Sequence, residues 1–247
     1  SGRPILSCGV KGLCYVELVA RGARHDLHSS YASIVPNPAW RLVWALGTLL
    51  DPDYKITIDG WMEVARPPGE AVERILREVP FDADGFMRTH GLDSLVKGAR
   101  GTALAWAYLT SPTCTICGLR AGYTGDGSKT VLPAEAVAKL DFRLAPGMTP
   151  GKLLRFLRAH LDRRGFGDLE IRQHGGFMPA ATDSEDRIVR AAVEACRKAC
   201  GREPILYPIA AWSGPVHDVC APLALPMVSF GVGNADSGDH APNENIL

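Results

Sequence analysis

Residues 137–144 read Val-Ala-Lys-Leu-Asp-Phe-Arg-Leu, and this stretch decides the fold. Its apolar and polar side chains alternate, a pattern that is typical of a β-strand with one buried face. The alternation places Lys139, Asp141 and Arg143 together on the opposite face. The stretch therefore predicts a strand of a half-buried sheet whose polar surface carries three charged side chains.

Strand and helix patterns alternate in the sequence around this stretch. Further strand-like segments cover residues 13–20, 55–60, 116–123 and 169–172, and Gly-Asp-Gly-Ser at 125–128 is typical of a tight turn. Apolar residues recur at helical spacing in residues 39–50, 71–79 and 151–163, and residues 81–111 indicate short helices and loop. This order predicts a layer of helices on one face of a mostly antiparallel sheet, which is an α+β domain.

The character of the sequence changes near residue 173. A predicted helix at 184–200 is followed by a segment rich in Gly, Pro and Ala, residues 208–226, and by a final predicted strand at 226–233. His240 follows that strand among small, turn-forming residues, where α/β folds place ligand-binding side chains. We expect a domain boundary near residue 173. The remainder, about 74 residues, is short for a core of its own and fits part of a larger α/β domain.

The composition argues against several classes of protein. The chain has 247 residues, of which 46% are hydrophobic and 22% charged, as in a soluble globular protein. Lys and Arg together number 27, as do Asp and Glu, and no basic stripe occurs, so we expect no nucleic-acid partner. No apolar run reaches the roughly 20 residues that span a bilayer, and the N-terminus lacks the apolar segment of a signal peptide. We therefore expect no membrane association.

The seven cysteines predict a reducing, cytoplasmic location, because their number is odd and their spacing fits no disulfide scaffold. Cys114 and Cys117 form a CxxC pair. No second Cys or His pair lies at the spacing that zinc ribbons use, and no helix start follows the pair as in a thioredoxin motif, so neither a zinc nor a redox role is favoured. Cys196 and Cys200 lie four residues apart on a predicted helix and are expected to be small buried apolar side chains.

Six motifs, in order and at similar gaps, resemble the M20 family of metallopeptidases, and most closely its dipeptidase branch. They are Asp26-Leu-His-Ser29 with Asn37-Pro38, Gly127 through Pro133, Lys139 through Pro146 with Thr149-Pro150, His174-Gly-Gly176, Ser213 with Pro215, and His240-Ala-Pro-Asn-Glu244. The motifs recur over nearly the whole chain. Six motifs in register are a far more specific signal than any one of them.

The resemblance implies a two-domain hydrolase. A catalytic α/β domain would hold two zinc ions per intact subunit, and an inserted lid domain, an antiparallel sheet with helices on one face, would mediate dimerisation. Residues 1–10 would then end an N-terminal catalytic segment, residues 11–173 would form the lid, and residues 174–247 would form the C-terminal part of the catalytic domain. A small peptide is the implied substrate. We expect a homodimer through the lid, because an exposed sheet edge favours pairing across a two-fold axis.

The resemblance also implies roles for individual residues. His28 would reach into a neighbouring subunit's site and stabilise the oxyanion, and Arg143 would bind the C-terminal carboxylate of a peptide. Hydrogen bonds to substrate are implied for Thr130, His174 and Ser213, and zinc ligation for His240. Each role has a structural alternative. His28 would be a turn histidine, and Arg143 would form a surface salt bridge. Thr130, His174 and Ser213 would be capping or turn residues. The remaining histidines match no motif and are expected at the surface or in loops: His25, His90, His160 and His217.

The sequence also departs from the family pattern. The His-x-Asp and Glu-Glu pairs that supply most metal ligands and the general base in the family have no counterpart here. We therefore expect part of a zinc-dependent dipeptidase or exopeptidase that is inactive as an isolated chain. The alternatives are a non-catalytic dimerisation or ligand-binding module, and an amidohydrolase of the same family that acts on acylated amino acids. Ser30, Ala32 and Ser33 replace glycines that usually follow the lid serine, which restricts the backbone angle φ.

Overall fold

The computed structural model describes residues 3–231, 233, 237, 238, 240 and 242–246. Its strands are β1 (Ile5–Ser7), β2 (Gly9–Val10), β3 (Gly12–Arg21), β4 (Leu27–His28), β5 (Thr113–Ala121), β6 (Val131–Leu132), β7 (Glu135–Leu144), β8 (Glu170–Phe177), β9 (Ala180–Ala181), β10 (Ile205–Tyr207) and β11 (Ser229–Phe230). Its α-helices are α1 (Pro38–Leu46), α2 (Glu70–Glu78), α3 (Ala83–His90), α4 (Gly101–Thr110), α5 (Pro150–Arg163), α6 (Arg187–Cys200) and α7 (Val216–Cys220).

A four-stranded antiparallel sheet in the order β5-β7-β3-β8 forms the centre of the fold. The stretch at 137–144 lies in β7, which pairs with β3 along its whole length and with β5 on its other side. Leu140, Phe142 and Leu144 are buried on one face, whereas Lys139, Asp141 and Arg143 are on the other. The predicted strand and its two faces are confirmed.

Helices α1 and α5 cover the apolar face of this sheet, and the core between the layers includes Leu42, Leu153 and Leu157. Each helix begins with a proline that follows an N-capping residue. The Ala39 N–H donates to Asn37 Oδ1 at the start of α1, and the Lys152 N–H donates to Thr149 Oγ1 at the start of α5. The structure thus has the predicted α+β arrangement, with helices on one face of an antiparallel sheet.

A second apolar cluster lies outside this layer. Leu76, Val79, Ala105 and Leu109, on and beside α2 and α4, pack together with Ile209. The helices between residues 70 and 110 therefore rest on the segment that follows β10. They connect the part of the chain before residue 173 to the part after it.

Two smaller sheets join the first residues to the last third of the chain. β1 lies between β10, its parallel neighbour, and β11, its antiparallel neighbour, and β2 pairs with β9. The predicted boundary near residue 173 falls inside β8, which pairs with β3 as far as Phe177. The predicted last strand is short, at Ser229–Phe230, and part of its predicted range, Val232, lies outside the described residues.

The predicted strand at 55–60 is wrong. Its backbone makes only an isolated bridge between Leu50 and Ile56, and the chain then turns into a 3₁₀ helix at Met62–Val64. Ile56, Ile58 and Trp61 are nonetheless buried in the core. The alternating apolar side chains of this segment insert under the helices. The segment itself has no neighbouring strand to pair with, so the alternation does not produce a strand here.

Two predictions about burial are also wrong. His160, expected at the surface or in a loop, is fully buried on α5. Cys200 is exposed and Cys196 partly exposed, although both were expected in a core. The reason is that α6 buries only Val189 among the residues of its length. Within the described residues, no helix is long and apolar enough to cross a bilayer.

Candidate functional site

His28 and Thr130 lie together beside the small sheet of β4 and β6. β4 pairs with β6, so that His28 is opposite Val131, and the Ser29 N–H donates to the Thr130 carbonyl at 3.0 Å. His28 Nε2 lies 3.4 Å from Thr130 Oγ1. Both side chains are exposed. Two residues predicted for the site, 102 positions apart in the chain, are therefore neighbours.

The backbone after His28 fixes the orientation of its ring. The Ser30 N–H donates to His28 Nδ1 at 3.1 Å, and the Ser30 hydroxyl lies 2.9 Å from the same nitrogen. Because Nδ1 accepts a hydrogen bond, the proton of the neutral ring lies on Nε2, the nitrogen beside Thr130 Oγ1, which is therefore a donor. Ser29–Ser33 forms a 3₁₀ helix, and Ser30, Ala32 and Ser33 all have negative φ. The contact between Ser30 and His28 was not predicted from the sequence. The signal that could have revealed it is that Ser30 replaces a glycine of the family pattern.

Arg143 and Ser213 form a second group at the opposite end of β7. Arg143 Nε and Nη2 donate to the two carboxylate oxygens of Asp141 at 3.1 and 3.0 Å, and Nη1 donates to Ser213 Oγ at 3.1 Å. The Ser213 hydroxyl donates to the Gly12 carbonyl at 2.9 Å. The Arg143 side chain is 30% exposed, and that of Asp141 is 15% exposed.

The contacts of Arg143 leave part of its guanidinium available. A guanidinium has five N–H groups, and the described contacts with Asp141 and Ser213 use three of them. Arg143 therefore makes the salt bridge that was the structural alternative and still presents N–H groups on both Nη atoms. The predicted capture of a carboxylate would use these, because Asp141 occupies the Nε edge.

His174 belongs to a third group. The register of β8 against β3 shifts beside Tyr15 and leaves His174 as the extra residue of a bulge. His174 Nε2 lies 3.0 Å from Glu17 Oε2, and this hydrogen bond, together with Lys139 and Arg172 nearby, holds the pKa of Glu17 below its usual value. Sequence reasoning missed Glu17, although a lone acid in an apolar strand was visible there.

His240 is exposed, has a φ of 63°, and donates its backbone N–H to Glu244 Oε2 at 3.2 Å. Its neighbours Asp239 and Ala241 lie outside the described residues. In the described part of the chain, no three His, Cys, Asp or Glu side chains come together as a metal site would require. Burial raises the pKa of Cys114 to about 12, so this cysteine of the CxxC pair is a neutral thiol at pH 7.

The groups around His28 and Arg143 are far apart within one chain. Thr130 precedes β7 and Arg143 lies near its end, and the eight residue steps from Glu135 to Arg143 alone span about 26 Å at 3.3 Å per residue. A dipeptide extends over only about 7 Å. One substrate of that size cannot touch both groups of the same chain.

Comparison with known proteins identifies the family. The M20 peptidase dimerisation domain matches residues 8–168. The Beta-Ala-His dipeptidase of Rattus norvegicus is 24% identical over 99% of this chain and 51% of its own length, and the Cys-Gly metallodipeptidase DUG1 of Saccharomyces cerevisiae is 28% identical over 66% of this chain and 34% of its own. Among solved structures, an M20 family metallo-carboxypeptidase from Sulfolobus solfataricus superposes with a TM-score of 0.93 at 39% identity, covering 99% of this chain and 56% of that one.

The chain spans between about a third and a little over half of the length of these proteins. The family match covers most of the central sheet and the helices packed on it, from residue 8 to residue 168. The chain belongs to the M20 peptidase family and contains its dimerisation domain.

Proposed function

We propose that this chain supplies the dimerisation domain and part of the catalytic domain of an M20 exopeptidase that hydrolyses short peptides with a free C-terminal carboxylate. Residues 11–173 would be the lid, and the flanking residues would belong to the catalytic domain. The relatives named as dipeptidases and as a carboxypeptidase support this class of substrate. A cytoplasmic location stays a prediction from the cysteine pattern.

The observation that carries the proposal is the separation of the His28–Thr130 group from the Arg143–Ser213 group along β7. Each group is held together by its own hydrogen bonds, but the two groups of one chain are too far apart to contact a single dipeptide. A two-fold dimer through the lid would bring His28 of one subunit to the Arg143 group of the other. The active site would then be shared between subunits.

The chemistry of the two groups is complementary. The outward N–H groups of Arg143 would hold the carboxylate of the substrate, with Ser213 beside them. The Nε2–H of His28 would donate to the oxygen of the scissile carbonyl as negative charge develops there. Thr130 and His174 would add hydrogen bonds to the substrate.

The proposed enzyme would also contain a metal centre. M20 relatives include a metallodipeptidase and a metallo-carboxypeptidase, and two zinc ions per subunit are implied by the resemblance. The described residues do not by themselves fit such a centre, because no cluster of three ligating side chains occurs among them. We propose His240 as a single ligand that would contribute to a centre whose other ligands are not among these residues.

The test is a comparison of substrates on the complete gene product. We expect hydrolysis of a dipeptide with a free carboxylate and weak activity on its C-terminal amide. Arg143→Met should raise KM for the free dipeptide by about 10- to 100-fold with a small change in kcat, since it removes a charged anchor used by substrate and transition state alike. Arg155→Met, an exposed arginine on α5, is the matched control and should leave KM unchanged. An unchanged KM in Arg143→Met would contradict the role of Arg143.

The same site could serve an amidohydrolase of acylated amino acids, since Arg143 would bind the carboxylate of either substrate. N-acetyl amino acids in the same assay distinguish the two activities. A higher kcat/KM for these than for dipeptides would favour the amidohydrolase.

A further inference from the structure

Lys11 is a buried lysine that joins the two parts of the fold. It lies between β2 and β3, and only 2% of its surface is exposed. Its Nζ donates to the Tyr108 carbonyl at 2.8 Å and to the Ser111 carbonyl at 2.7 Å. Ser111 is the C-cap of α4, so the ammonium lies at the negative end of that helix and binds carbonyls that the helix leaves unpaired.

Lys11 connects both strands that flank Arg143. In the sheet, Leu13 of β3 and Thr113 of β5 are the two cross-strand neighbours of Arg143. Lys11 lies two residues before Leu13, and the carbonyl of Ser111 that it binds lies two residues before Thr113. One side chain therefore ties together the beginnings of the two strands on either side of Arg143.

The backbone next to Lys11 also holds Ser213 in place. The Lys11 N–H points at the carbonyls of Ala210 and Trp212, at 3.2 and 3.1 Å. The following carbonyl, of Gly12, accepts the hydrogen bond from the Ser213 hydroxyl, which leaves a lone pair of that hydroxyl for Arg143. A Cβ on Gly12 would lie 2.7 Å from the Phe177 carbonyl, so this backbone has little room to move.

Lys11 and Arg143 also act on each other electrostatically. Burial, and then the charge of Arg143, lowers the pKa of Lys11 to about 8. The two cations carry two positive charges against the single negative charge of Asp141. This balance favours an anion beside Arg143.

We propose that Lys11 is a positioning residue of the carboxylate site: it fixes Arg143 and Ser213 through the two flanking strands and adds a second positive charge. The identity of the anion as a peptide carboxylate rests on the proposed function. The contacts of Lys11 lie entirely within this chain, so the inference can be tested by binding, without turnover.

The experiment titrates this chain with alanyl-alanine and with alanyl-alaninamide, using calorimetry or NMR. The wild-type chain should bind the free dipeptide more tightly than the amide. Lys11→Met should weaken binding of the free dipeptide by about tenfold and leave binding of the amide unchanged. Lys11→Arg, which keeps the charge and the donors, should restore most of the affinity. Should Lys11→Met fail to fold, Lys11→Gln takes its place, with the same expected loss.

Ala105→Gly is the matched structural control, because it loosens α4 without removing the ammonium. It should keep the preference for the free dipeptide. The inference is overturned if Lys11→Met binds both ligands as the wild type does, if Ala105→Gly loses the preference equally, or if the wild-type chain shows no preference. One combination of results separates the two proposals. If the wild-type chain prefers the free dipeptide but the complete gene product hydrolyses no peptide, the proposed function is rejected and the role of Lys11 stands.

Discussion

At the scale of single residues, His160 links the stability of the fold to pH. Its Nδ1 accepts the Asp59 N–H at 3.3 Å, and its Nε2 lies 3.0 Å from Thr48 Oγ1, which fits a neutral ring. Burial lowers the pKa of His160, although the carboxylate of Asp59 opposes this shift. The unfolded chain, with a histidine pKa of about 6.5, therefore binds more protons than the folded chain just below that pH.

The sign of the effect follows from this difference. The contribution of neutral His160 is fully present above about pH 6.5, and the free energy of unfolding decreases as pH falls through 6.5 toward the folded-state pKa. Urea unfolding at pH 7.5 and 5.5 should show this decrease in the wild-type chain and a smaller one in His160→Gln. His25→Gln, at an exposed histidine, is the control and should behave like the wild type. A decrease in His160→Gln as large as that of the wild type would contradict the assignment.

The residues of the site differ in how far the sequence predicted them. The pairs His28–Thr130 and Arg143–Ser213 are in contact, as motifs of one family would require, but their roles stay predictions. Lys11 could not be found from sequence, because its role depends on carbonyls at the end of α4, about a hundred positions away. From the sequence alone, a lysine just before a strand indicates a solvated turn.

At the scale of elements, β5 is the edge of the sheet that we expect to pair with a second subunit. It exposes Ile116 (52%) and Leu119 (56%), whereas the exposed residues of the other edge, β8, are polar or glycine. Trp40 and Trp44 of α1 are exposed and stacked, and add to the apolar surface of the dimerisation domain. Exposed apolar surface of this kind commonly marks a protein interface.

A lysine on this edge should therefore prevent dimerisation. We expect Ile116→Lys with Leu119→Lys to convert a dimer into a monomer, measured by light scattering after size exclusion, because a buried ammonium opposes strand pairing. Gln173→Lys on β8 is the control and should leave the dimer intact. Dimers that survive the β5 substitutions but not the β8 substitution would place the interface at the other edge.

Hydrophobic periodicity predicted secondary structure correctly in long segments that bury one face. β7 and α5 match their predicted ranges closely because neighbouring elements cover one face and solvent the other. The segment at 55–60 has the same alternation, but hydrogen bonding to a neighbouring strand is what defines a strand, and sequence period alone does not report it.

At the scale of the whole molecule, the order of elements was sufficient to predict helices on one face of an antiparallel sheet, while the connections between the two parts were not. The packing of α2 and α4 on Ile209, and the extension of β8 past residue 173, depend on contacts between distant segments. Hydrophobic period is a local signal and carries no information about such pairings.

We propose an active site that is shared between two subunits, with His28 from one and Arg143 from the other. It is tested by purifying mixed dimers of the complete gene product, one subunit carrying His28→Ala and the other Arg143→Met, each with its own affinity tag. Both parent dimers should have low activity at substrate concentrations below the wild-type KM. In the mixed dimer one site carries both substitutions and the other carries neither, so we predict about half of the wild-type activity. Mixed dimers no more active than the parents would show that each site is built from a single chain and would rule out a shared site.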